Sequence, residues 1–252
     1  MNRYYRNLIA TEFRNCVRGT IERVMGNEQT YRPFHTALLS DDVVFWSAFE
    51  RSFSTSFGQR VIEEIARLVA LSNGATEAMR QFETVVHIDV AYENAINQEL
   101  RMLRERHSCL SCSWNPTLQR VLQTHESGQI VDIRVISDLW WRKEGIDNYI
   151  SLKTVKPNID QTLVAKQDCL HLVVNNPNCN VYFGLPYNPY GEFKEDYAHN
   201  PPMKIFDFHH DSIVLIGKEM WETIGGVGCY DELLDIAAEV GEETRYTIGN
   251  LR

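Results

Sequence analysis

The feature that most constrains the fold is a change of period near residue 129. Residues 130–136 (Ile-Val-Asp-Ile-Arg-Val-Ile) alternate apolar with charged and are rich in β-branched side chains, the pattern of a half-buried strand. Residues 142–145 (Arg-Lys-Glu-Gly) form a polar turn, and residues 149–155 (Tyr-Ile-Ser-Leu-Lys-Thr-Val) alternate again. Together they predict an antiparallel hairpin. A helix over 159–173, strands near 180–186 and 212–216, and two short helices around 217–224 and 230–240 complete the pattern. This order predicts an α/β fold with a mixed central sheet flanked by helices.

Ahead of the hairpin the chain reads mostly as helix. Leu8, Phe13, Val17, Ile21 and Val24 recur at helical spacing until Met25, Gly26 and Asn27 break the run. A second helix is expected to be capped at Ser54, Thr55 and Ser56, with Val61, Ile62, Ile65, Leu68 and Val69 as its apolar stripe, and to stop at 72–74. A third covers 92–107 and ends in Arg101, Arg104, Arg106 and His107. No linker or repeat divides the chain, so a single domain over 1–252 is expected: a mostly helical part over 1–125, a catalytic sheet core over 126–220 and C-terminal helices over 221–252.

Composition narrows the function. With 44% hydrophobic residues in 252, the chain buries a sizeable core, which excludes intrinsic disorder. The 25 Lys+Arg against 34 Asp+Glu give a net charge of −9, which argues against coating nucleic acid by charge alone but leaves local gripping open. No run approaches the length of a membrane span and the start lacks a signal-peptide core, so a cytoplasmic protein is expected. Six cysteines are too sparse for a disulfide scaffold. The pair Cys109 and Cys112 lacks a second pair at zinc spacing, and His209 and His210 point to opposite faces of any strand. Nucleotide-binding glycine loops, nucleophile elbows and zinc-protease helices are absent.

The chemistry concentrates in residues 138–153 (Asp-Leu-Trp-Trp-Arg-Lys-Glu-Gly-Ile-Asp-Asn-Tyr-Ile-Ser-Leu-Lys). Across a hairpin, Asp138 faces the end of the second strand, where Ser151 and Lys153 project to one side. A carboxylate there can hold Mg²⁺, a hard cation that polarises a phosphodiester and acidifies water, while an ammonium orients the water and stabilises charge on phosphorus. Asp132 rivals Asp138, because the even separation along a regular strand puts both on one face. Asp147 lies closer to Lys153 but in the turn.

This arrangement resembles the PD-(D/E)xK nuclease motif, with 13 residues between Asp138 and Ser151. Further blocks accompany it at 52–60 (Ser-Phe-Ser-Thr-Ser-Phe-Gly-Gln-Arg), 152–160 (Leu-Lys-Thr-Val-Lys-Pro-Asn-Ile-Asp), 183–191 (Phe-Gly-Leu-Pro-Tyr-Asn-Pro-Tyr-Gly) and 217–226 (Gly-Lys-Glu-Met-Trp-Glu-Thr-Ile-Gly-Gly). Together they resemble the TdeIII/MjaII-like type II restriction endonucleases. The resemblance implies the restriction-endonuclease-like core, Mg²⁺-dependent hydrolysis of double-stranded DNA leaving 5′-phosphates, a homodimer, pairing with a DNA methyltransferase, and a GGNCC-like site. Ser151 departs from it, standing where the pattern expects an acid. The resemblance to Ser-x-Lys nucleases implies that a helix supplies the missing carboxylate: Glu63 by preference, or Glu64, Asp160 or Asp168. Asp138 and Glu63 are then the expected metal ligands. Lys156 is a candidate phosphate contact, and Asn188, Tyr190, Glu192 and Lys194 in the polar loop, with Arg142, are candidate DNA contacts. Arg101, Arg104 and Arg106 are a weaker candidate backbone contact.

Overall fold

The computed structural model describes residues 1–26, 32–105 and 111–251. The helical part comprises α1 (Arg3–Gly26), α2 (Pro33–Leu38), α3 (Asp41–Ser56) and α4 (Ile62–Ser72), with a π-helical turn, Phe57–Val61, joining α3 to α4. After it come β1 (Glu77–Asp89), α5 (Val90–Arg104), α6 (Trp114–Leu122), β2 (Ile130–Lys143), β3 (Ile146–Leu152), α7 (Ile159–Asn175), β4 (Asn180–Leu185), β5 (Val214–Ile216), α8 (Lys218–Gly225) and α9 (Cys229–Gly249). The five strands form one sheet in chain order, with β1, β2 and β3 antiparallel and β3, β4 and β5 parallel. This is the mixed α/β sheet expected from sequence, and α7 makes the crossover that a parallel β3–β4 pair requires.

Two expectations are corrected. Residues 54–56 do not start a helix: the Thr55 hydroxyl donates to the Arg51 carbonyl and the chain passes through the π turn without a break. The Ser54 hydroxyl donates to the Glu50 side chain and the Ser56 hydroxyl accepts from Arg23, so none of the three caps a new helix. Second, the sheet begins well before residue 126, because the 13-residue β1 lies inside the span read as mostly helical. Its exposed positions are Glu77, Met79, Gln81, Glu83, Val85 and His87, a mixture of polar and apolar residues that blurs the strand signal. The end expected for the third helix, including Arg106 and His107, lies outside the described residues, as does Cys109.

The β2–β3 hairpin closes through Glu144 and Gly145, both at positive φ (53° and 79°), the pair of left-handed residues that a two-residue loop needs to match strand twist. Apolar cores cover both faces of the sheet. One packs Val86, Ile88, Val135, Trp140 and Phe183 against α5, α6 and α7. The other packs Leu139, Trp141, Ile150 and Leu215 against α1, α4, α8 and α9. In the first core the fully buried Lys166 ammonium donates to the carbonyls of Cys112 (2.5 Å) and Ile205 (2.7 Å). Burial lowers its pKa to about 8, and the two bonds fasten flanking segments to α7.

Candidate active site

The site lies where β2 and β3 part. Their ladder runs from Lys143↔Ile146 to Leu139↔Ile150 and ends there, because β3 continues beside β4, with Ser151 against Phe183 and Leu152 against Gly184. The Asp138 carboxylate fills the resulting fork. Its Oδ2 accepts from the Leu152 amide at 2.7 Å and the Lys153 ammonium at 2.9 Å, with the Ser151 hydroxyl at 3.4 Å. The Asp138 and Lys153 side chains are 19% and 21% exposed, enough to be reached from solvent yet shielded from full screening. The three sequence-read positions therefore converge.

Asp138 also marks a change of phase along its strand. Val131, Ile133 and Val135 face the α7 core, but beyond Asp138 it is Trp140 that does so, while Leu139 and Trp141 face the α4 core. In β1, Phe82 and Val86 face α7, whereas Ala78 faces α4. The register is unbroken, with Arg80↔Leu139 and Phe82↔Ser137, so both strands turn over at the same place. Gln81, between the paired residues of β1, has φ +48°, a left-handed conformation costing a non-glycine residue about 1–2 kcal/mol. It turns the Gln81 amide into the fork: Nε2 lies 3.2 Å from Asp138 Oδ1 and 3.0 Å from Glu63 Oε1.

Glu63 reaches the site from the first turn of α4. Its neighbour Glu64 does not, because Arg67 (3.0 and 2.6 Å) and Arg80 (3.0 Å) hold it in ion pairs. Burial raises the Glu63 pKa; the Gln81 hydrogen bond opposes this, and the negative charge of Asp138 adds to it. Asp168 on α7 is also near, since its pKa is pushed up to about 6, chiefly by burial, with Lys153 lowering it and Asp138 raising it. Asp138, Glu63 and Asp168 thus share the field of the Lys153 ammonium, and Arg80, paired with Glu64, also acts on Glu63.

The other sequence candidates sit elsewhere. Asp132 lies six residues along β2, about 20 Å away at strand rise, where His87 binds it at 2.7 Å in solvent. Asp160 pairs with Arg104 at 2.9 Å, and Asp147 accepts from the Trp140 indole (3.1 Å) and Arg142 (2.9 Å). Arg142 is thereby held at the hairpin tip, stacked over Trp140. In the polar loop, the Asn188 side chain donates to the Phe193 carbonyl and accepts from the Tyr190 amide, bracing the loop from within. The Lys194 ammonium turns inward to the carbonyls of Asp211 (2.9 Å) and Val214 (2.5 Å), and to Glu219 (3.3 Å). Its donors are engaged by the protein, which corrects its reading as a DNA contact. Lys156 lies over the Tyr190 ring at 5.3 Å, and Tyr190 and Glu192 remain exposed.

Gln81 is the residue that sequence reading missed. Its one local signal is a polar amide inside a strand, and that becomes informative only once Asp138 is seen across from it.

Among the described residues, no three His, Cys, Asp or Glu side chains form a metal cage. The ligand atoms that face one another at the fork are the carboxylate oxygens of Asp138 and Glu63, with no thiol or imidazole among them. That chemistry suits a hard cation, and Mg²⁺ in particular, which commonly takes one or two protein carboxylates and keeps water. A mixed five-stranded sheet with helices on both faces, forked where Asp138 meets Lys153, is the architecture of a restriction-endonuclease-like fold.

Comparison with known proteins narrows this. Residues 1–241 match the family described as type II restriction endonuclease, HinfI. The type II restriction enzymes HgiEI and HgiBI of Herpetosiphon aurantiacus are 31% and 30% identical over 215 residues, spanning 83% of this chain and 77% of each relative. The chain therefore belongs to the HinfI family of type II restriction endonucleases, site-specific deoxyribonucleases that act on double-stranded DNA. The narrower TdeIII/MjaII likeness rests on the sequence blocks alone. No helix among the described residues is long and apolar enough to cross a membrane.

Proposed function

We propose that the forked strands hold the hydrolytic centre, with Asp138 and Glu63 as the carboxylates for Mg²⁺ and Lys153 as the general cation. The observation that carries this reading is the division of labour on Asp138. Oδ2 is committed to Leu152 and Lys153, whereas Oδ1 shares with Glu63 Oε1 only an amide N–H donor. When bound there, Mg²⁺ supplies Lewis-acid polarisation of the phosphodiester and lowers the pKa of water.

The chain's own groups do the rest. Lys153 orients the attacking water and stabilises negative charge on the phosphoryl oxygens. Oxygen from water bonds to phosphorus, the bond to the 3′ oxygen breaks, and that oxygen takes up a proton, leaving a 5′-phosphate. Ser151 is no carboxylate, so Glu63 on α4 supplies the second acid. Leu152 fixes the Asp138 rotamer through its amide.

Lys156 is assigned to a DNA phosphate, and Tyr190 and Glu192 on the exposed loop to base edges. Asn188 shapes that loop, and Arg142 at the hairpin tip is a more distant backbone contact. A GGNCC-like site, a homodimer matching its two-fold symmetry, a cytoplasmic location and protection of host DNA by a partner methyltransferase complete the reading.

The test is digestion of a long DNA of known sequence by the wild-type protein and Glu63→Gln, with Mg²⁺ and with EDTA. Discrete fragments are expected from the wild type with Mg²⁺ only, their ends reporting site and stagger, and Glu63→Gln should cut at least ~10²-fold more slowly. Full activity in Glu63→Gln would move the second acid to Asp168. Intact DNA with retained gel-shift binding by the wild type would replace hydrolysis with binding alone.

A further inference from the structure

The proposed cation site has two carboxylates, and an octahedral cation has places for further oxygen ligands. Asp138 and Glu63 give two carboxylates, and among the described residues no third His, Cys, Asp or Glu side chain joins them in a cage. What stands between them is the Gln81 amide, 3.0 Å from Glu63 Oε1 and 3.2 Å from Asp138 Oδ1 through Nε2. An N–H₂ group placed between two carboxylates supplies partial positive charge where no cation is bound. The same planar group carries a carbonyl oxygen, a hard ligand of the kind Mg²⁺ accepts. Rotation about the last side-chain bond, a torsion with two broad wells, exchanges the two atoms.

The backbone shows that this placement is specific. Gln81 lies in the interior of a long strand, opposite Asp138, at φ +48°. A regular strand has no need of a left-handed glutamine, and the conformation is what aims the amide into the fork.

We propose that Gln81 is the third protein ligand of the divalent cation. Its amide nitrogen spaces the Asp138 and Glu63 carboxylates before the ion arrives, and its carbonyl oxygen faces the ion afterwards. The inference rests on the reading of those two carboxylates as the cation site.

Calorimetric titration of the full chain with Mn²⁺, without DNA, tests it on wild type, Gln81→Met, Gln81→Glu and Asp138→Asn, with thermal unfolding in EDTA read in parallel. Wild type should bind and Asp138→Asn should not. Gln81→Met, close in shape but without oxygen or N–H, should bind roughly tenfold or more weakly. Gln81→Glu should bind more tightly than wild type and unfold at lower temperature in EDTA, since a third carboxylate then repels the other two. Equal affinity in Gln81→Met and wild type overturns the proposal and leaves the carboxylate reading standing. Weaker binding in Gln81→Glu also overturns it, because the amide would then serve only as a donor. Failure of the wild type to bind, or wild-type affinity in Asp138→Asn, would remove the carboxylate reading itself.

Discussion

The β1–β2 ribbon carries Asp89 at its end and Asp138 in its interior, and the two are held in different ways. Asp89, at the end of β1 opposite Ile130, is buried and accepts from the amides of Ala91 (2.7 Å), Ser127 (3.0 Å) and Gly128 (2.7 Å) and from the Ser127 hydroxyl (2.7 Å). Burial pushes its pKa up, but these four hydrogen bonds outweigh it and bring the group down to about 2. Asp138 also receives four, from the Leu152 amide, the Lys153 ammonium, the Ser151 hydroxyl and a Gln81 amide that it shares with Glu63, but three of these come from side chains. Around Asp89 the carboxylate is satisfied by neighbours fixed in the chain, so it caps α5 and ties down the loop before β2. Around Asp138, burial is the chief cause that pushes up both Glu63 and Asp168, and the negative charge of Asp138 adds to it. One residue type is thus held mainly by backbone dipoles in one place and mainly by side chains in the other.

The strongest way to break this contrast is Asp138→Asn. Cleavage should fall by about 10³-fold or more while the unfolding midpoint in EDTA stays level or rises, because a repelling charge is removed. Cleavage near the wild-type rate would strip Asp138 of its assigned role. Asp89→Ala should do the reverse, lowering the unfolding midpoint by several degrees while the folded fraction cleaves at the normal rate. The stabilisation from Asp89 is present above the ordinary carboxylate range and is lost as pH falls through about 2. The gap between Asp89→Ala and wild type should therefore be full at pH 7 and narrow steeply in acid.

Asp168 sharpens the contrast at smaller scale. Its folded pKa of about 6 lies above that of an unfolded aspartate, so its favourable contribution is complete below about pH 4 and is lost as pH rises through 6. Asp168→Asn should gain on the order of 2 kcal/mol over wild type at pH 8 in EDTA and nothing at pH 4, by denaturant unfolding. An equal gain at both pH values would mean that packing, not charge, governs the site. The smallest effect belongs to Ser151→Ala. Its hydroxyl lies 3.4 Å from Asp138 Oδ2, so the cleavage rate should stay within about threefold of wild type.

The two halves of the site differed in how far they could be read ahead of the structure. Asp138, Ser151 and Lys153 were legible because a tight turn at Glu144 and Gly145 carries the chain back on itself, and alternation then settles which residues face each other. The same alternation misled for Asp132: counting by twos assumes an unbroken pleat, and both strands change phase at Asp138 and Gln81. The span 77–89 carried no clear strand signal, since its exposed positions mix charged and amide side chains with Met79 and Val85 and its core side changes at Gln81. The serines at 54–56 looked like a cap because hydroxyls serve that role as readily as they bond back inside a longer helix.

By itself the sequence determined the elements whose partners are near in the chain: the hairpin, the crossover helix α7 and the acid–ammonium pair at the end of β3. The family likeness also followed from it, because short motif blocks survive in order along the chain. Only the tertiary structure decided which distant groups complete the site. It paired Glu64 with Arg67 and Arg80, left Glu63 to the Gln81 amide, and brought Gln81 across from Asp138. Those choices depend on how α4 and β1 pack against β2, and packing between remote segments leaves no periodic trace in either one.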